Sequence, residues 1–217
     1  MQWDWNYTWD ILPDLLRGLR TTVVATLLGY VIALLLGMVW TLLRRSPSRV
    51  FNGVVRWVTE FVRSTPLIPQ LFFVYYVLPS WGLTIGPLTA GVITLGIHYS
   101  TYTAEVYRAG ISDIPRGQWE ACTALNLPRS RVWLDVVLPQ AIRRVIPTLG
   151  NYLIAMFKDS PQLLVIQVTE MLLAAYKAGT ESYRMLEPIT LVGVLFIVVS
   201  VISSILVRRL ERRYATN

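Results

Sequence analysis

The chain has 217 residues, of which 54 % are hydrophobic and only 15 % charged, with a mean hydropathy of +0.49 and a formal net charge of +7. That balance excludes an ordinary soluble globular chain and points to a membrane protein. A single cysteine and a single histidine exclude an internal disulfide and a Cys/His metal cluster, so no metal site is expected.

Taken in chain order, the N-terminus carries acids and tryptophans where the basic region of a cleavable signal peptide would lie, so no such peptide is expected. Trp3, Trp5, Tyr7 and Trp9 instead predict an aromatic belt at the outer membrane interface. Residues 21–43 hold no charge over a length that crosses the hydrocarbon core, for which about 20 apolar residues suffice. Residues 67–97 are also uncharged and are interrupted by Pro79 and Pro87, which reads as two spans meeting at a turn. Residues 145–168 are mostly apolar but contain Lys158 and Asp159, and residues 188–207 are again uncharged. The expectation is an all-α membrane protein of one transmembrane domain over residues 1–217, with five spans at 20–43, 54–78, 88–108, 145–168 and 187–207.

The charge excess follows this pattern. Fifteen of the 20 basic residues follow the first span, surround the loop at 109–144, or form the tail at Arg208, Arg209, Arg212 and Arg213. Four lie on the other side, and Lys158 falls inside a span. This asymmetry places the N-terminus outside and the loop and C-terminus in the cytoplasm. The positive charge is thus a topology signal, and no nucleic-acid partner is expected. No HExxH, GxSxG or phosphate-cradling glycine loop occurs, so the chain is not expected to be an enzyme.

The loop has its own organisation. Gln118–Leu125 predicts a short helix, and Asn126 can end it in the left-handed conformation. Pro128 suits the first turn of a second helix, with Val132, Trp133, Val136 and Val137 on one face and Arg129, Arg131 and Asp135 on the other. Pro139 is expected to end it. A helix–turn–helix in a cytoplasmic loop implies a docking surface.

At these residues the chain resembles a known family. Glu120-Ala121-Cys122, Asn126 and Val136-Val137-Leu138-Pro139 resemble the EAA motif of ABC importer permeases, EAA-x3-G-x9-I-x-LP, with the spacing retained. Cys122 stands for alanine, Asn126 for glycine and Val136 for isoleucine. The stretches "RSTPLIPQLFFVYYVLP", "EVYRAGISDIPRGQWEA" and "LPQAIRRVIPTLGNYLIAMFKDS" look like the polar amino acid, histidine/glutamine-type permeases, although Ser64, Pro69 and Pro161 are unusual there. The resemblance covers residues 15–210. It implies a type I importer permease of five spans, a second permease subunit, the same or similar, and a cytoplasmic ATPase dimer. It also implies an extracytoplasmic solute-binding protein and residence in the bacterial inner membrane. No cofactor would be bound by this chain; ATP and Mg would sit on the ATPase. Gly117, Glu120, Ala121, Cys122, Asn126, Leu138 and Pro139 would form the ATPase-coupling segment, with Cys122 against the ATPase.

The solute site is argued from polar residues in spans, which face a cavity or a partner because a charge at mid-bilayer costs on the order of 3 kcal/mol. Asp159, beside Lys158 and Ser160 and just before Pro161, is the leading ligand for an ammonium group. The alternative is an ion pair with Lys158 or Arg63. Glu60, Arg63 and Thr65 before Pro66 form a second polar, proline-broken segment, with Gln70 counted alongside, and His98, Tyr99, Ser100 and Tyr102 a polar face on the third span. Glu105 and Arg108 are spaced to pair with each other. A polar amino acid or a related zwitterionic solute suits one carboxylate among tyrosines. The N-terminal "WDWNYTWDILPDLLRGL" is similar to permeases for ectoine and hydroxyectoine. A secondary transporter or channel without an ATPase is the alternative, and it would have no use for the docking loop.

Overall fold

The computed structural model describes residues 3–214, which are helical with no strand among them; the side chain of Arg213, counted above with the basic tail, lies outside the described residues. Helix α1 (Trp5–Leu43) starts fifteen residues ahead of the expected span at 20. Asp4 caps it, its carboxylate accepting from Asn6 N at 2.9 Å and Tyr7 N at 3.2 Å. At about 1.5 Å per residue its 39 residues make a rod nearly twice the roughly 30 Å hydrocarbon core. The expected aromatic belt is therefore corrected in part. Trp5 and Trp9 are exposed, but Tyr7 turns inward, its hydroxyl 2.9 Å from Ala178 O and 2.6 Å from Ser182 Oγ.

After α1 the chain enters α2 (Arg49–Ser64) and α3 (Leu67–Phe72), which continues through a π turn (Phe73–Val77) and a 3-10 turn (Leu78–Trp81). The expected single span at 54–78 is broken here by a bend of 105°. Pro66 is the cause. It has no N–H to continue α2 and drives Thr65 into the extended region, at φ −88° and ψ 128°. Helix α4 (Pro87–Ser112) follows, then α5 (Arg116–Ala124) and α6 (Arg129–Arg131). A π turn (Val132–Val137) then runs without interruption into α7 (Leu138–Asp159). The expectation that Pro139 ends a helix is thus corrected: Pro139 lies in the first turn of α7. The π turn makes this possible, since Leu138 N reaches back five residues to Trp133 O and the widened turn accommodates the proline ring. A 3-10 segment (Ser160–Ile166), α8 (Met171–Glu181) and α9 (Leu186–Tyr214) complete the chain.

By length and composition, α1 and α9 can each cross a membrane, and the bent α2–α3 pair adds a third if it is one span. Helices α4 and α7 are less apolar: α4 carries the polar run from His98 to Thr103, and Arg143, Arg144, Lys158 and Asp159 lie in α7.

The bundle is assembled around α1. Ala25, Gly29, Ala33, Gly37 and Thr41 recur every four residues along α1 and are all buried, the small-residue stripe that allows two helices to approach closely. A Cβ on Gly37 would overlap Thr103 Oγ1 of α4 and come within 3.1 Å of Ala104 N. Hydrogen bonds fill the seam: Thr103 Oγ1 donates to Ala33 O at 2.7 Å, Trp40 Nε1 to Ser100 Oγ at 3.0 Å, and Tyr30 OH to Leu149 O of α7 at 2.8 Å. At the far end, a Cβ on Gly18 would lie 2.8 Å from Met171 Cα of α8. Asp4 N donates to Glu187 Oε1 at 3.1 Å, and Arg184 pairs with both carboxylates.

Glu170 caps α8 from a fully buried position, accepting from Leu173 N at 2.7 Å and Leu172 N at 2.8 Å. Burial pushes its carboxyl up to about 7, against the opposing pull of those two N–H groups.

Gly37→Ala forces Thr103 to move and should cost about 1–3 kcal/mol, read as a lower thermal midpoint in detergent. Gly53→Ala, with nothing within 4 Å, should be neutral or slightly stabilising in its helix. For Glu170, the folded state holds its proton more tightly than the unfolded chain. Stability should therefore be full below pH 4.5 and fall on the order of 3 kcal/mol as pH rises to about 7. Glu170→Gln should remove that slope, and a midpoint rising with pH over this window would contradict the assignment.

Candidate functional site

Two places in the bundle collect the residues singled out by sequence. The first is a polar cluster between α3, α4 and the end of α7. Tyr99 OH donates to Asp159 Oδ2 at 2.6 Å. Rings of His98, Tyr99 and Tyr102 from α4 lie 5.4–5.8 Å apart. Tyr152 of α7 joins them, with its centroid 5.5 Å from Tyr102 and 6.3 Å from Tyr99. Tyr152 was not singled out by sequence. Its signal was the spacing: Tyr152 and Asp159 are seven residues apart, two helical turns, and so share a face of α7. Asp159 is half-buried, and its Oδ1 has no protein partner among the described residues.

The remaining residues of this group divide by what already holds them. Arg63 pairs with Glu60 three residues earlier, so the ion pair of Asp159 with Arg63 is not formed. Lys158 is exposed and takes no part in the ring cluster. Ser160 is buried, its hydroxyl donating to Phe157 O at 2.8 Å, and Thr65 Oγ1 donates to Phe61 O at 2.8 Å. Gln70 answers the proline break: its Nε2 lies 2.7 Å from Val62 O and 2.8 Å from Thr65 O, carbonyls whose helical donors would be residues 66 and 69, both prolines without an N–H. The same nitrogen is 3.0 Å from His98 Nδ1. Tyr102 OH reaches Arg63 O at 3.5 Å. The broken helix and the ring cluster are therefore joined through Gln70 and His98. Chemically, the cluster offers one carboxylate oxygen and several aromatic faces, a set that receives a cation.

The second place is the loop. Helix α5 ends in a Schellman motif: Leu127 N donates to Cys122 O and Asn126 N to Thr123 O, each at 3.0 Å. Asn126 has φ +48°, the left-handed geometry expected of it. Trp119 of α5 meets Trp133 edge-on at 5.8 Å, above a small core of Ile114, Val137 and Ala141. This core seats α5 on the bundle. Gly117, Glu120, Ala121 and Asn126 are exposed, as is Pro139, while Leu138 is partly covered. Cys122 is corrected: it is 5 % exposed and faces this chain's own core, so its thiol is not on the outer face of α5. The helix's 100° per residue puts it opposite Glu120. Glu105 and Arg108 pair as expected, and Arg44 from the end of α1 shares the same carboxylate.

Comparison with known proteins gives this geometry a setting. The family model "Binding-protein-dependent transport system inner membrane component" matches residues 29–216. A probable amino-acid ABC transporter permease, y4tG of Sinorhizobium fredii, is 44 % identical, with 94 % of this chain and 93 % of that protein covered. The arginine transport system permease ArtQ of Bacillus subtilis is 34 % identical over the full length of both. The glutamine transport system permease GlnP of Escherichia coli is 34 % identical with 98 % of each covered. Among solved structures, an amino acid ABC transporter with histidines superposes with a TM-score of 0.93 at 33 % identity, covering 98 % of this chain and all of that one. The methionine transporter MetNI shares the fold, with a TM-score of 0.74 at 22 % identity over 95 % of this chain and 99 % of that one. The chain belongs to the binding-protein-dependent transport system inner membrane components, the family of permease subunits.

Proposed function

We propose that this chain is the permease subunit of an ATP-driven ABC importer for a polar amino acid or a related zwitterionic compatible solute, ectoine being a specific candidate. The observation that carries the solute class is the Asp159 carboxylate, held on one oxygen by Tyr99 and ringed by His98, Tyr102 and Tyr152. An ammonium group takes the second oxygen and packs against the ring faces. The cluster lies where α7 gives way to a 3-10 turn at Pro161, and the Phe157 carbonyl that this proline leaves without its helical donor is taken by the Ser160 hydroxyl. The names of the relatives, amino-acid, arginine and glutamine permeases, agree with this class.

In this reading the bundle has five spans: α1, the bent α2–α3 pair, α4, α7 and α9. The N-terminus faces outward, and α5 with the C-terminus lies in the cytoplasm of a bacterial inner membrane. The charge asymmetry supports that orientation. A second permease, the same or similar, completes the pathway, and a binding protein delivers solute from outside. The exposed face of α5, Gly117, Glu120 and Ala121, docks an ATPase dimer that holds ATP and Mg. Closure of that dimer moves α5 as a rigid element, and the bundle switches between inward- and outward-facing states. No observation favours a secondary transporter or a channel.

Asp159→Asn keeps the shape but removes the charge. Solute uptake by the reconstituted complex should fall by about tenfold or more, since a charge-assisted hydrogen bond is roughly twice as strong as a neutral one. Assembly and basal ATP turnover should persist. Uptake at the wild-type rate would remove the ligand role, and failure to assemble would make Asp159 structural. Orientation and docking are tested together by Ala121→Cys in a Cys122→Ala background. A membrane-impermeant thiol reagent should label it in inside-out vesicles, not in intact cells, and more slowly once the ATPase is bound. Labelling from outside intact cells would reverse the topology; labelling indifferent to the ATPase would remove the docking role.

A further inference from the structure

At the α5 end of the bundle, two adjoining recesses share the residues Thr41, Arg45 and Ile111. The first, of about 230 Å³, is polar and presents Arg44, Arg45 and Arg108 around Asn52. The second, of about 420 Å³, is walled by Met38, Leu42, Tyr107, Trp133 and Ile142. Leu42, Met38 and Ile142 are more than half exposed, at 63 %, 54 % and 51 %.

The charges do not cancel. Glu105 is the carboxylate that faces this cluster, and it is shared by Arg44 and Arg108. Arg45 pairs with no carboxylate among the described residues; its guanidinium carbon sits over the Trp133 ring, 4.2 Å from the centroid. Three guanidiniums against one carboxylate leave a net attraction for an anion. That attraction sits at the place where the apolar surface of α1 ends, since Leu42 is followed by Leu43 and then Arg44 and Arg45. An apolar groove beside an anion-seeking pocket, at the boundary between hydrocarbon and water, has the two-part chemistry of an anionic phospholipid.

We propose that this composite recess is a binding site for one anionic phospholipid, its phosphate among Arg44, Arg45 and Arg108 and an acyl chain along Met38, Leu42 and Ile142. Basic pockets between membrane helices take such head groups, and guanidiniums match phosphate oxygens in paired geometry. The lipid would lie against Trp133, which in turn holds Trp119 of α5, so its presence stiffens the seat of that helix. Which leaflet supplies it rests on the orientation proposed above; the binding chemistry does not.

The test uses the purified permease–ATPase complex in detergent, titrated with phosphatidylglycerol and with phosphatidylethanolamine of the same chains and read by native mass spectrometry. Phosphatidylglycerol should be retained, one per permease chain, at concentrations where phosphatidylethanolamine is not. Arg45→Gln should weaken retention about fivefold. Ile142→Trp, which fills the groove without touching the charges, should weaken it as well, and the exposed Arg143→Gln should not. Equal retention of the two lipids would overturn the proposal, as would retention unchanged in both Arg45→Gln and Ile142→Trp. So would a wild-type complex that retains none because the second permease covers the groove. None of these readings depends on orientation, so a reversed topology would show only in the thiol-labelling experiment.

Discussion

The close approach of α1 to α4 is the constraint on which the rest of the bundle rests. In a membrane, apolar side chains gain little by leaving lipid for one another, so helices associate through van der Waals packing and hydrogen bonds. The stripe from Ala25 to Thr41 brings backbone against backbone, and Thr103, Trp40 and Thr41 bond across the seam at 2.7, 3.0 and 3.2 Å. Holding α4 on this side fixes which of its faces is left for others. That face carries His98, Tyr99 and Tyr102. Tyr30, reaching from α1 to Leu149 O, brings α7 alongside at the turn from which Tyr152 projects. The ring cluster thus depends on small residues of α1 whose own side chains make none of its polar contacts.

Prolines do the opposite work, opening the backbone at chosen places. Pro66 and Pro69 leave Val62 O and Thr65 O without helical donors, and the molecule answers with a side-chain amide that also touches a histidine of α4. At Pro161 the helix tightens to a 3-10 turn beside the carboxylate. Unsatisfied carbonyls inside a membrane cost several kcal/mol each, so a break survives there when polar groups gather around it. The gathered groups are the same ones that make a solute site feasible.

The sequence showed some of this directly and hid the rest for physical reasons. The left-handed Asn126 and the Glu105–Arg108 pair are local properties, set by residue type and by spacing within one helix. Tyr152 was legible in principle, since its seven-residue separation from Asp159 puts both on one side of α7, but a lone tyrosine carries no charge to attract notice. The inward turn of Tyr7 and the early start of α1 depend on α8 and α9, about 170 residues away, and no local pattern encodes them. Pro139 misled because proline normally stops a helix; here the π turn before it absorbs the conflict. Cys122 misled because a motif gives residue identity and not the direction in which a side chain points.

The π turn at Val132–Val137 also has an angular meaning. A turn closed by five residues instead of four admits one extra residue, and in a helix one residue is about 100° of rotation. The stretch between Glu120 and Pro139 therefore sets a phase as well as a length. It determines which way the exposed face of α5 looks when α7 is locked in the bundle. Deleting a single residue there would restore an ordinary helix and leave every contact type available, yet it would turn the exposed face of α5 by about 100°. The widened turn acts as a gear tooth that keeps α5 in phase with α7.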